Sequence, residues 1–303
     1  MIHSTYTFYY IDRCEMCGEN TAAHQVLGSR LNQSQGISPK LKTGISVSVL
    51  KCKNCKLIYS QPLPIPASIQ DHYNVPPESY WTEEYFIMEE NYFSNEIRIV
   101  KDLLSFTPGM NSLDIGAGLG KCMLALGNAG FNPFGFEPSI HFYNRAISKM
   151  GISKDKLQLG MIENVIYPNN KFDFITYGAV FEHLYHPAES LEKSLVWLRS
   201  GGIIHIEVPS SKHLIAKLIN FYYKIRGTTY VTNLSPMHAP FHLYEFDLKS
   251  FEKLGLKLNF KIEKYQYHVC EMSFIPKILK PFFYYFMKVT NTGMQLTVYL
   301  RKL

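Results

Sequence analysis

The chain has 303 residues, of which 46% are hydrophobic and 18% charged, and its net charge is +6. This composition excludes disordered and fibrous architectures, and the length suits one large domain with a small appendage. Apolar runs stay short of the roughly 18 uncharged residues of a membrane-spanning helix. The N-terminal segment lacks the basic start and long apolar stretch of a secretory signal, which predicts a cytoplasmic protein.

Charge is distributed unevenly. Residues 1–60 hold seven basic and three acidic side chains, residues 61–248 hold fourteen and nineteen, and residues 249–303 hold ten and three. A basic head and tail around an acidic middle permit contact with phosphates, nucleic acid or an anionic membrane without requiring one.

Four of the six cysteines form two CxxC pairs, Cys14–Cys17 and Cys52–Cys55, with 34 residues between them. Two thiolates three positions apart can grip one metal ion from a single turn, and two such turns close a tetrahedral zinc cage with no open position. The stretch between the pairs carries glycines and the alternating run Ile45–Val49, as a hairpin-bearing zinc ribbon would. Cys122 and Cys270 read as buried core thiols. Pro62, Pro64 and Pro66 then mark an extended linker, and Asn74–Pro77 a loop. From Thr82 to about Phe106 the apolar spacing predicts a helix, ended by Pro108–Gly109.

Strand and helix patterns alternate from Ser112 onward. Strands are predicted over Ser112–Gly116, Pro133–Glu137, Lys156–Ile162, Phe172–Tyr177 and Ile203–Val208. Helices are predicted over Leu119–Ala129, Pro138–Met150 and Ala188–Leu198. This order implies an α/β fold with a doubly wound parallel sheet, whose ligand lies beyond the strand carboxyl ends. An insert over about 210–245 reads as a lid, followed by a helix over Asp247–Leu254. Two strands near the end, Lys257–Tyr267 and Gln295–Arg301, have no long helix pattern between them and could pair antiparallel. There is no internal repeat.

The loop Asp114-Ile115-Gly116-Ala117-Gly118-Leu119-Gly120-Lys121 narrows the ligand. It fails the dinucleotide fingerprint because Lys121 occupies the third glycine position, and no phosphate-binding GxxxxGK[ST] segment exists. It fits D-x-G-x-G-x-G after a strand, with Glu137 ending the next strand, where a carboxylate can accept hydrogen bonds from two ribose hydroxyls.

On these residues the chain resembles class I S-adenosylmethionine-dependent methyltransferases over roughly residues 110–260. LDIGAGLG is similar to the first motif of that family and GFEPS to the second. FDFITYGAVFEHLYHPAESLEKSLVWLRSGGIIHIEVPSS is similar to the fourth and fifth. With the cysteine pairs and the Pro-rich link in front, the whole resembles bacterial methyltransferases with an N-terminal zinc-binding module, many of which act on sugars or surface-glycan precursors. The resemblance implies a seven-stranded, mostly parallel, Rossmann-like sheet whose last strand is antiparallel. It divides the chain into a zinc ribbon and linker over 1–70 and a methyltransferase domain over 71–303. It implies S-adenosylmethionine held by Asp114, Gly116, Ala117, Gly118, Gly120, Glu137 and Pro138. Met161 stands where the family often has Asp or Asn, which leaves the backbone near Ile162, or Glu163, to meet the adenine amine. Tyr177 and Tyr244 are candidates to line the pocket.

His183, after Glu182 at the mouth of the cleft, and His242, just before the Asp247 helix, are the candidate catalytic residues. Imidazole titrates near neutrality and can take a proton from an acceptor hydroxyl. His186 is expected to shape a helix start. Two segments, 212–224 and 274–288, combine aromatics with lysines, as interfacial membrane contacts, lids or packing faces do. Two other readings remain: an RNA methyltransferase holding RNA through its zinc ribbon, and a non-catalytic scaffold. Methyl acceptor, peripheral membrane contact and oligomeric state stay open at this level.

Overall fold

Val/Ile-rich runs bounded by glycines and polar turns set up the central sheet, and the computed structural model describes residues 6–36, 39, 42–67, 81–272 and 275–303. The N-terminal part has five strands: β1 (Tyr6–Tyr9), β2 (Gln25–Leu31), β3 (Ser46–Lys51), β4 (Ile58–Gln61) and β5 (Leu63–Pro66). The helix α1 (Ser94–Leu104) leads into β6 (Asn111–Ile115), α2 (Lys121–Asn128), β7 (Asn132–Glu137), α3 (Ile140–Ser148) and β8 (Leu157–Leu159). Then come β9 (Phe172–Gly178), α4 (Pro187–Trp197), β10 (Leu198–Pro209), α5 (Leu214–Ile225) and β11 (Tyr244–Glu245). The chain closes with α6 (Leu248–Leu258), β12 (Phe260–His268), α7 (Lys280–Val289) and β13 (Gln295–Lys302).

Seven strands form the main sheet in the order β12-β13-β10-β9-β6-β7-β8. β6 pairs in parallel with β7 and β9, and β9 with β10. β13 runs antiparallel to both β10 and β12. This is the predicted doubly wound α/β sheet with an antiparallel last strand. The core strands are apolar on both faces because helices cover both, so Phe172, Phe174, Ile175, Ile203, Ile204 and Ile206 are all fully buried. Asp247 caps α6 through its side chain, which accepts from Lys249 N, with Ser250 completing a capping box.

Several boundaries differ from the sequence pattern. The helix expected from Thr82 begins only at Ser94, after a 3-10 turn over Glu83–Phe86. Phe93 holds left-handed backbone (φ 59°), which an α-helix cannot pass through. Of the expected linker prolines, Pro64 and Pro66 lie in β5, which pairs antiparallel with β1, and Pro62 stands just before it. Proline is accommodated there because the strand lies at a sheet edge. Residues 74–77 lie outside the described residues. Cys122 is buried, whereas Cys270 is exposed and its thiol faces Gln295 Oε1 at 3.3 Å. The ten-residue α7 lies between the two last strands, where the sequence showed only an aromatic, basic stretch.

The four-stranded N-terminal sheet has the order β11-β4-β3-β2, so its edge strand comes from residues 244–245, far along the chain. The insert packs onto this sheet. Val231 and Leu234 join Val49 and Ile58 in one apolar cluster, and Tyr223 and Tyr230 join Leu31 in another. The insert therefore ties the N-terminal strands to the segment that carries His242. Among the described residues no helix is long and apolar enough to cross a membrane.

Candidate active site

The carboxyl ends of β6, β7 and β9 open a cleft where the parallel sheet reverses its winding, the place such sheets reserve for ligands. The β6–α2 turn forms its floor. Gly116 and Gly118 both hold left-handed backbone, at φ 67° and 54°, a conformation that strains any residue with a Cβ. At Gly118 a Cβ would meet nothing within 4 Å, so the bare backbone faces open space a ligand can enter. Glu137 braces this loop. Its Oε2 accepts from Gly118 N and its Oε1 from Ser139 N, each at 2.8 Å. Burial raises the Glu137 carboxyl, and those two N–H donors offset part of the rise. Each oxygen keeps a further lone pair for a hydroxyl donor.

Two compartments make up the cleft. One, of 310 Å³, is mostly apolar and is lined by Phe136, Glu137, Pro138, Ile162, Glu163 and His183 among others. The other, of 580 Å³, is lined by Asp114, Ala117, Tyr92, Glu96, Thr176 and Glu207 among others. Gly116, Gly118, Phe142 and Ala179 line both, so the two compartments adjoin across the glycine loop. The second compartment gathers three carboxyl groups against the single ammonium of Lys121. Asp114 is fully buried and its Oδ2 has no partner among the described residues. Burial, with a smaller contribution from Glu137, pushes its carboxyl up to about 8.

His183 and His242 meet at the rim, with ring centroids 5.1 Å apart. His183 Nδ1 lies 3.2 Å from the Phe241 carbonyl, so Nδ1 carries the proton and Nε2 is the accepting end. Glu182 lies behind both rings, its Oε1 3.9 Å from His183 Nε2 and 3.7 Å from His242 Nε2. Burial lowers the His183 imidazole and, with His183 alongside, takes His242 down to about 3. Both rings are neutral at pH 7. His183 lines the cleft; His242 stands behind it, outside both compartments.

The family model described as a methyltransferase domain matches residues 88–265, more than half of the chain. The chain belongs to this methyltransferase family. No curated protein matches the methyltransferase in sequence. Among solved structures it is similar to an S-adenosylmethionine-dependent methyltransferase from Mesorhizobium loti, at 12% identity and a TM-score of 0.49, covering 71% of this chain and 100% of that one. A second, from Archaeoglobus fulgidus, shares 15% identity at a TM-score of 0.47, covering 74% and 99%. A third, from Methanosarcina mazei, shares 14% at 0.49, covering 68% and 97%.

The methyltransferase uses S-adenosylmethionine, and the cleft fits that group. Glu137 offers carboxylate acceptors beside the bare Gly118 backbone, the apolar compartment can take a purine, and the acidic compartment can take a cationic tail. Two residues expected at the cofactor are placed elsewhere. Tyr177 is buried in the core, its hydroxyl donating to the Ser190 carbonyl at 3.1 Å and lying 2.5 Å from Ser194 Oγ. It points away from the cleft because side chains alternate along β9, and the neighbouring Thr176 takes the cleft side. Gly120 closes the turn into α2 and packs against Ile152 instead of lining the cavity. Tyr244 is also core, its hydroxyl donating to the Tyr185 carbonyl. His186 does precede α4, at the N-cap, and its Nδ1 lies 3.4 Å from Glu15.

Sequence reasoning missed Phe142, Ser139, Tyr185, Glu96 and Glu207 as cleft residues. Ser139 was readable in principle, as the second residue after Glu137 in a strand-to-helix turn. The others reach the cleft through tertiary packing alone.

The buried Asp114 gives a pH dependence in the ligand-free methyltransferase. Its folded value of about 8 lies above its ordinary value of 3.8. Between these values the folded chain holds a proton that the unfolded chain has released. The contribution of Asp114 to stability is therefore expected to fall as pH rises through this window, by about 1 kcal/mol per pH unit at the steepest. The difference in unfolding free energy between the parent and Asp114→Asn, followed by denaturant between about pH 5 and 8, should carry this slope, because Glu182 and the buried histidines titrate alike in both.

The four paired cysteines converge in the N-terminal part. Cys14 Sγ lies 3.5 Å from Cys55 Sγ, and Cys17 Sγ 3.5 Å from Cys52 Sγ. All four sulfurs fall within 4.8 Å of one another, and none is in a disulfide. Zinc–sulfur bonds of about 2.3 Å place the sulfurs of a tetrahedral site roughly 3.8 Å apart, so the cluster fits a zinc ion. Glu19 Oε2 lies 3.2 Å from the Cys52 sulfur and accepts from Asn54 N at 3.2 Å, which holds the second turn in place.

Proposed function

We propose that this methyltransferase acts on a small polar acceptor, a sugar or a surface-glycan or secondary-metabolite precursor, and that Cys14, Cys17, Cys52 and Cys55 hold a structural zinc ion. The observation that carries the acceptor reading is a cavity of 770 Å³ between the N-terminal sheet and α5. It is lined by Lys51, Lys217 and Lys224 together with Ser211, Asn220 and Asn233. Ammonium groups suit a phosphate, and amides and a hydroxyl suit a polyol, within the size range of small-molecule sites. Ser211 follows closely on β10, whose Glu207 lines the cofactor cleft. The acidic lining of that cleft counts against a nucleic-acid acceptor, whose phosphates it would repel.

When bound, S-adenosylmethionine supplies a methyl group on a positively charged sulfur. The chain's own residues do the rest. Glu137 and the glycine loop orient the adenosine half, Pro138, Ile162 and Glu163 wall it in, and holding the reacting atoms close and in line provides most of the acceleration. His183, with its Nδ1–H committed to Phe241, presents Nε2 as the base for an acceptor hydroxyl, and His242 and Glu182 position it.

The test is transfer from methyl-labelled S-adenosylmethionine into a fractionated extract. Label is expected in the nucleotide-sugar or glycan-precursor fraction, lost with His183→Ala. Label found in RNA instead would overturn the acceptor reading.

A further inference from the structure

Glu182, His183 and His242 form a second cluster of metal-ligating atoms, separate from the cysteines. One ring nitrogen from each imidazole and one carboxylate oxygen lie within 4.8 Å of one another, and Glu182 Oε1 is 3.9 Å from His183 Nε2 and 3.7 Å from His242 Nε2. A tetrahedral ion bound at about 2.1 Å places such atoms roughly 3.4 Å apart, so the two spacings from Glu182 stand within about 0.5 Å of what an ion needs.

Three observations point to a ligand rather than to packing. The Glu182 side chain is only 2% exposed, and its Oε2 has no hydrogen-bond partner among the described residues. A buried carboxyl oxygen left in this way costs free energy unless something meets it. His183 points Nδ1 at the Phe241 carbonyl, 3.2 Å away, the outer contact that fixes a metal-binding imidazole with Nε2 toward the ion. His242 is brought to the pair by the insert, where Phe241 holds left-handed backbone (φ 65°). Bulky residues are held in that conformation where the surroundings over-determine them.

We propose that Glu182, His183 and His242 bind a divalent transition-metal ion at the rim of the cofactor cleft. Two imidazoles and one carboxylate suit zinc, manganese, iron or cobalt and leave coordination positions open. His183 lines the cleft, which places the ion beside it, and an acceptor oxygen that reached an open position would lose its proton more readily. This proposal rests on the acceptor reading above and refines it: the ion would take over the activating role assigned to the His183 base.

The test is titration of the full chain, preloaded with one equivalent of zinc, with cobalt(II), followed by visible absorption. S-adenosylhomocysteine binding is measured on the same samples. One further equivalent of cobalt is expected, with nitrogen and oxygen ligand-field bands and no thiolate charge-transfer band. Glu182→Gln and His242→Ala should each weaken it by about 30-fold. Uptake limited to the cysteine site, or second-site affinity unchanged in both variants, would overturn the proposal. If Glu182→Gln fails to fold, His242→Ala decides, because His242 is partly exposed and lies outside the cofactor cleft. A chain that takes the second cobalt but no S-adenosylhomocysteine would instead sink the methyltransferase-site reading and leave the metal site standing.

Discussion

Glu137→Ala is expected to lower the affinity for S-adenosylhomocysteine by about 100-fold, or roughly 2.7 kcal/mol. Two effects combine. The carboxylate proposed to take the ribose hydroxyls is removed. The Gly118 and Ser139 N–H groups, both now held at 2.8 Å, also lose their acceptor, so the glycine loop is no longer pinned. Glu137→Gln should lose nearly as much. Its amide carries only one oxygen, so its NH₂ would face one of those two N–H donors. The check is calorimetric titration of each variant, with circular dichroism to show that the sheet persists. An affinity within about threefold of the parent would remove Glu137 from the cofactor site.

The second large effect is expected from Cys52→Ser. The Cys52 sulfur contacts Cys17 at 3.5 Å and Glu19 at 3.2 Å, and loss of one thiolate from a four-sulfur cage takes most of the metal affinity with it. Binding energy of a structural zinc is folding energy, so a fall in melting temperature of about 10 °C or more should accompany loss of one zinc per chain. The N-terminal sheet does not stand apart from the rest. β4 pairs with β11, and Ser250 Oγ donates to the Cys55 carbonyl at 2.9 Å. β11 begins two residues after His242, so the acceptor side should loosen along with the module. Cofactor affinity should change far less, because no cysteine of the cluster lines the cleft. Metal analysis and thermal melts test this pair of outcomes. A variant that keeps both its zinc and its melting temperature would contradict a zinc-held module.

Much of the main domain was legible in the sequence. Doubly buried parallel strands read as short apolar runs between glycines, and β6, β7, β9 and β10 lie where those runs are. The glycine loop and Glu137 were legible because their chemistry is local: a tight turn, a bare backbone and an acid at the next strand end. Tyr177 was misread because one face of β9 packs against α4 while the other meets the cleft, and an apolar strand gives no sign of which face is which. The strand at Leu63–Pro66 was hidden by its prolines, which resemble a linker until β1 is seen beside them. Glu96 and Glu207 could not be read as neighbours of the compartment that Asp114 lines, since only the fold of α1 onto β10 brings them to it. The cluster of Glu182 with His183 and His242 needed the insert to return beside the β9 end, a path that local patterns do not encode.

The β6–α2 loop and Glu137 are proposed to form an S-adenosylmethionine site. Its most direct test is calorimetric titration of the zinc-loaded full chain with S-adenosylhomocysteine. One site per chain with micromolar affinity is expected, lost in Glu137→Ala. A folded, zinc-loaded chain that gives no binding heat and no displacement of labelled cofactor would contradict it.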